Sequence, residues 1–222
     1  MKQYLLYLII LLFLMCFACA PVRTVVPLEK NETHISASLG GPLIEFSGAV
    51  IPVPLSSVHL GHGLNNSTTF NVAMHTTSLL FGVIQIESSL CKQLYCNEEK
   101  KWGISTNPGF YFMIDTWKWK PVFYPMLDVN AYKIYSDNNH VLYLSYSQMI
   151  ELSPSKAFEQ EIQHRYIPWI TAGHIWRRQK MNYTIEFKYL NFLQSNENIV
   201  VDYIAPGKTG TFGLQLGFTR KF

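Results

Sequence analysis

From about residue 33 to its end the chain alternates apolar and polar residues with a period of two. In "VLYLSYSQMIEL", Leu142, Leu144, Tyr146, Ile150 and Leu152 share one face, and Ser145, Ser147 and Glu151 share the other. In "YTIEFKYLNF", Tyr183, Ile185, Phe187 and Tyr189 oppose Thr184, Glu186 and Lys188. Successive side chains leave a strand on opposite sides, so this period marks strands with one apolar face. Dense β-branched and aromatic residues broken by polar turn clusters agree. The pattern predicts ten strands: 33–46, 55–64, 68–76, 79–93, 108–117, 121–135, 139–152, 165–177, 181–193 and 211–222. The first contains Gly40, Gly41 and Pro42 and is expected to kink or bulge. "SKAFEQEIQHRY", 155–166, is the one helix candidate.

One apolar and one polar face suit two architectures. In a sandwich the apolar faces meet in a core and the polar faces meet water. In a membrane barrel the apolar face meets lipid and the polar face lines the lumen. Length favours the barrel, since several strands reach about ten residues, which is the length a tilted membrane strand needs. Connections favour it too. Turns on one side are short ("NNS", "SDNN", "RRQKM"), and those on the other include "SPSKAFEQEIQHR" and "LQSNENIVVDYIAPGKTG". The connection 94–107 breaks that trend, as do the short turns "TS" and "KWKP" on the long-loop side.

The first twenty residues change the picture by sending the chain out of the cytoplasm. Lys2 precedes an apolar run from Leu5 to Phe17, too short for a spanning helix and suited to a signal peptide. "CFAC" is similar to a lipoprotein cleavage box, with acylation of Cys19 expected; the alternative is a cut after "ACA". The expected organisation is a signal peptide at 1–18, a lipidated Cys19 with a periplasmic linker to 32, and a barrel from 33 to 222. Cys91 and Cys96 then remain, either as a small-loop disulfide in an oxidising compartment or as two free thiols. The formal net charge of +3 in 222 residues is too small for a nucleic-acid surface.

Two motifs resemble those of bacterial outer-membrane β-barrel proteins. "GHGLNNSTTFNVAMH", 61–75, is similar to a barrel hairpin in which Gly-Leu enters a tight polar turn. "TFGLQLGFTRKF" ends on Phe222 after apolar Leu214, Leu216 and Phe218, with Arg220 departing from the pattern. That ending resembles the signal read by the barrel-assembly machinery, with Phe218 and Phe222 as the residues read. The resemblance implies an all-β, closed antiparallel transmembrane barrel of about 10 strands (8–12 fit). It also implies outer-membrane lipids as partners, a monomer and no cofactor.

Candidate chemistry is sparse. His75 lies beside Thr76 and Thr77 and shares a face with Asn71, but no His-x-Ser pair accompanies it. Glu87, Asp115, Asp128, Asn130, Glu151, Glu186 and Lys188 are expected on the lumen side, forming an interior polar network. Acids confined there raise one another's pKa unless cations neutralise them, and Lys188 is two residues from Glu186. His75, Asp128 and Glu186 are the candidates should the barrel be an enzyme. No histidine spacing suggests a metal site. The Trp residues of "WKWKP" and "IPWITAGHIW" fit an interfacial belt. Asn31, Asn66 and Asn182 head glycosylation-type triplets, which would matter in a eukaryotic secreted protein. The primary reading is an outer-membrane barrel, lipid-anchored at the inner leaflet, with a structural, adhesive or narrow-pore role. The alternatives are a barrel enzyme acting on lipid or peptide and a periplasmic ligand-binding β-sandwich lipoprotein.

Overall fold

The computed structural model describes residues 22–97, 99, 101–153, 164–197 and 201–222. Its elements in order are β1 (Thr33–Phe46), β2 (Ala49–Pro52), β3 (Ser56–Asn65), β4 (Thr68–His75), α1 (Thr76–Leu80), β5 (Val83–Asn97), β6 (Trp102–Asp115), β7 (Pro121–Tyr135), β8 (His140–Ile150), β9 (Tyr166–Arg177), β10 (Met181–Ser195) and β11 (Thr209–Lys221). Each barrel strand pairs antiparallel with the next, and β11 returns to pair with β1 from His34↔Lys221 to Pro42↔Gly213. The result is a closed barrel of ten strands. β2 stands outside it, pairing only with the outer end of β1. Closure leaves no second sheet for the apolar faces to pack on, so the sandwich alternative is excluded.

An even strand number brings both ends of the barrel sequence to one rim, here called proximal. Tight turns lie there, such as the two residues between Asn65 and Thr68. The longer connections lie at the distal rim.

Some boundaries differ from expectation for local reasons. Residues 102–107 belong to β6 and not to a long connection. "NPG" reads as a turn, yet Pro108 sits within the wall, opposite Leu127 of β7. On its other side the pairing with β5 skips from Ser89↔Gly109 to Lys92↔Thr106, where the missing N–H of Pro108 falls. With β6 extended, the proximal connection at 98–101 is short and the trend in loop lengths holds. Residues 76–80 form a single helical turn, and Gly82 at φ +71 returns the chain to β5. β1 does bend: its pairing with β3 ends at Leu39 and its pairing with β2 begins at Leu43, with Gly40 at φ +135 between them. A Cβ on Gly40 would lie 2.1 Å from the Leu214 carbonyl oxygen, so only glycine fits that crossing. The helix expected over 155–166 lies outside the described residues, apart from its last three.

The two faces of the wall are inverted relative to a soluble protein. Ile35, Val58, Leu60, Phe70, Met74, Leu90, Phe123, Val129, Leu142, Leu144, Ile170, Ile185, Phe187, Leu216 and Phe218 are exposed, and they come from every barrel strand but β6, which adds Phe110. Buried residues are mostly polar: Ser36, Ser57, Thr69, Asn71, Ser105, Asn107, Asn130, Ser145, Thr171, Thr184 and Gln215 all face the lumen. Rings gather outside the proximal rim, where Tyr95 meets Trp102 and His174 meets Tyr135, His140 and Trp176. Trp117 and Trp119 project from the distal turn between β6 and β7. This is the aromatic girdle of a spanning barrel. Trp169 departs from the expected belt, being 7% exposed and turned into the lumen.

Candidate functional site

The lumen holds polar side chains that need partners, and residues 22–28 supply many of them. The stretch expected to be a periplasmic linker instead runs inside the barrel. Val22, Thr24, Val25 and Leu28 are buried. The wall takes up the backbone polar groups of this segment. Asn107 Nδ2 donates to the Thr24 carbonyl at 3.0 Å, Ser105 Oγ donates to the Val25 carbonyl, and the Leu28 N–H donates to Thr69 Oγ1 at 2.7 Å. Apolar side chains of the segment meet a small apolar patch of the wall, where Val25 packs with Tyr132, Val141 and Tyr143.

Arg23 is the centre of the arrangement. Its Nε donates to Glu87 Oε1 at 2.7 Å and its Nη1 to Asp128 at 3.2 Å. Its Nη2 donates to the Tyr111 hydroxyl, and its Cζ lies 5.2 Å from the Trp169 ring centroid. Glu87 stands on β5 and Asp128 on β7, so the guanidinium bridges walls that are not neighbours. Two buried carboxylates are thereby compensated by one planar cation whose fork can serve both.

The expected lumen residues separate into two groups. Glu87, Asp128, Asn130, Glu186 and Lys188 are buried in the lumen. Lys188 Nζ lies 2.9 Å from Glu186 Oε2, and the Tyr143 hydroxyl donates to Glu186. Asn130 donates to Ser105 Oγ at 3.1 Å and accepts from Ser145. Asp115 and Glu151 lie instead at the distal rim. Asp115 accepts from the Trp117 and Lys118 N–H groups and shapes that turn, and Glu151 accepts from the Ser153 N–H. Both follow the lumen-side alternation but sit where the strands end.

His75 lies in the lumen with its Nε2 3.8 Å from Glu87 Oε2 and its ring against Tyr111. Ser57 is its cross-strand partner, but the Ser57 hydroxyl is bonded to Ser38 Oγ at 2.7 Å. Asp128 and Glu186 are each engaged by a cation. His75 and Asp128 are thus linked through Glu87 and Arg23, while Glu186 is held by Lys188; the three catalytic candidates stand in ion-pair contacts and not in a nucleophile–base triad. His34 and His59 meet at 3.3 Å between ring nitrogens, a contact that strand spacing did not reveal. Among the described residues no three His, Cys, Asp or Glu side chains gather as metal ligands.

Cys91 and Cys96 do not pair. Both are free on one strand, Cys91 buried in the lumen and Cys96 exposed. Five residues of strand separate their Cα atoms by about 16 Å, far beyond disulfide reach. The "CKQLYC" stretch is a continuous strand and not a loop. Asn182 lies within β10 next to buried Thr184, unlike a glycan acceptor in a surface loop.

Two cavities flank the plugging segment. The proximal one, about 230 Å³, is bordered by residues 22–29, His34, Arg177 and Lys221. The distal one, about 360 Å³, has Arg23, Tyr111, Lys188 and Gln215 at its floor and Leu55, Met113, Met149, Ile167 and Leu190 on its walls.

Fold and site together define a closed transmembrane-type β-barrel with an internal N-terminal plug. No family model matches the chain, and no curated protein matches it. Solved structures similar to it are outer-membrane barrels. The translocator domain of the autotransporter NalP from Neisseria meningitidis is 8% identical, with 88% of this chain and 90% of that one covered at a TM-score of 0.47. An outer membrane channel from Pseudomonas putida F1 is 10% identical, with 92% and 100% covered at 0.47. LpxR from Salmonella typhimurium is 6% identical, with 85% and 99% covered at 0.39.

Proposed function

We propose that this chain is a bacterial outer-membrane barrel whose lumen is kept shut by its own segment Val22–Leu28, with a structural or surface-binding role and no through-pore while the segment is seated. The observation that carries the proposal is the bridge from Arg23, inside the lumen, to Glu87 on β5 and Asp128 on β7. A side chain that compensates two buried carboxylates cannot leave without stranding both. The apolar outer band and closed sheet support bilayer residence, since lipid offers no partners to a free sheet edge. With short turns inward, the termini lie in the periplasm and the long connections outside. Lipids of the outer membrane and the assembly machinery are its partners in this reading, and the barrel acts as a monomer.

Conductance across a planar bilayer tests it. Wild-type protein is expected to give no steady current, and a variant lacking residues 22–28 to give stable ionic steps. Equal, stable conductance from both would overturn the reading.

Maturation belongs to the same proposal. Cys19 is three residues from Val22, a span of at most about 10 Å. Val22 packs against Gly217, four residues above the end of β11, or about 13 Å of wall. Acylation of Cys19 therefore competes with full seating of the plug, whereas cleavage after Ala20 does not. The intact mass of the mature protein tells the two routes apart: the shut wild-type barrel is expected to be the unacylated product, and an acylated mass on a non-conducting barrel would contradict this competition.

A further inference from the structure

The distal cavity has apolar walls and a floor with unused hydrogen-bonding capacity. Gln215 is 1% exposed, and its Oε1 has no hydrogen-bond partner among the described residues, while its Nε2 lies 3.4 Å from Ser38 Oγ. A buried amide oxygen left in this way costs on the order of 1–3 kcal/mol unless something donates to it. Gln215 pairs across the sheet with Glu186, and Lys188 is the next lumen-facing residue above Glu186. The Lys188 ammonium pairs with Glu186 Oε2 at 2.9 Å and, carrying three N–H donors, can also donate into the chamber. An acceptor and a donor thus stand one step apart at the base of a greasy chamber.

We propose that this cavity binds a neutral, hydroxyl-bearing aliphatic molecule of about ten to twelve carbons, its hydroxyl donating to Gln215 and accepting from Lys188. The size follows from the volume: 360 Å³ holds about a dozen groups of methylene size at the ~30 Å³ share of a small molecule in liquid. The head group follows from charge. Two cations, Arg23 and Lys188, face three carboxylates, Glu87, Asp128 and Glu186, so the cluster carries a formal charge of −1. A carboxylate head adds negative charge to that cluster and has no proton to donate to Gln215 Oε1. A quaternary ammonium head meets Arg23 and Lys188 first, because they and not the acids line the cavity. Only a neutral head that both donates and accepts satisfies Gln215 and Lys188 together. The segment 22–28 forms the base of the chamber, so the inference rests on that segment being seated.

Trp169 lines the chamber and reports on it. Full-length protein in lipid nanodiscs is titrated with ω-bromodecanol, whose bromine quenches indole fluorescence on contact. The expected result is a saturable component of quenching that is absent in Trp169→Phe, over a linear background from the exposed tryptophans. ω-Bromodecanoate and ω-bromodecyltrimethylammonium are expected to bind about tenfold more weakly or not at all. Gln215→Leu weakens the alcohol about tenfold, and Leu190→Trp abolishes the saturable component by filling the chamber; Met149→Trp replaces it should Leu190→Trp fail to assemble. Quenching that is linear, equal for the three head groups and unchanged by these substitutions is simple partition into lipid and overturns the proposal. Conductance of the wild type fails the plug instead, so the two failures are distinguishable.

Discussion

Arg23 is the residue on which the interior depends. Replacing it with leucine leaves Glu87 and Asp128 buried without their cation, a change expected to cost about 3–5 kcal/mol. Urea unfolding of the detergent-solubilised barrel, followed by heat-modifiable gel migration, checks this. Glu87→Gln combined with Asp128→Asn in the Arg23→Leu background is expected to recover most of the loss, because neutral groups carry a smaller burial cost. A single loss without recovery would mean that Arg23 acts through packing alone. Half of this arrangement was legible in the residues alone. Glu87 and Asp128 fall on the lumen side by alternation, and acids there require cations. Lys188, two residues from Glu186, is the cation that alternation places beside an acid within one strand. The missing partner lay before the first strand, in "PVRTVVP", a stretch with no periodicity to place it. Long-range pairing over 64 residues leaves no local trace.

At the scale of the elements, most of the wall was legible because lipid and a filled lumen impose strict alternation. β1 and β7 run over the expected residues. The errors fall where a local signal competed with the sheet. "NPG" imitates a turn, and "TTSLL" at the distal rim closes into a helical turn where no neighbour enforces extension. Glycines within the lumen also carry meaning that spacing hides. Gly173 stands opposite Tyr143, and an added Cβ there would lie 2.1 Å from Tyr143 Cζ. Gly103 stands opposite Tyr132 in the same way, its Cβ position 2.5 Å from the hydroxyl. Each ring lies over the bare backbone of the next strand, covering it and reaching inward. Gly173→Val is expected to displace Tyr143 from Glu186 and lower stability by about 1–3 kcal/mol, read from the same urea transition. Gly48→Ala, at a loop position where nothing lies within 4 Å of the added carbon, serves as the control at φ +79 and is expected to lose less.

The whole molecule is an inverted solid: greasy outside, polar inside, with the segment Val22–Leu28 folded into its own bore. The claim that lipid meets one face of every strand and packed protein meets the other is tested most directly on β11. Single cysteines are introduced one at a time from Phe212 to Phe218, in a background with Cys91 and Cys96 replaced by alanine, and spin-labelled in a bilayer. High accessibility to oxygen, which concentrates in lipid, is expected at 212, 214, 216 and 218. Low accessibility to both oxygen and a water-soluble nickel chelate is expected at 213, 215 and 217. Strong nickel accessibility at 213, 215 and 217 would mean an open, water-filled bore, and at 214, 216 and 218 a protein outside the bilayer; either result contradicts the claim.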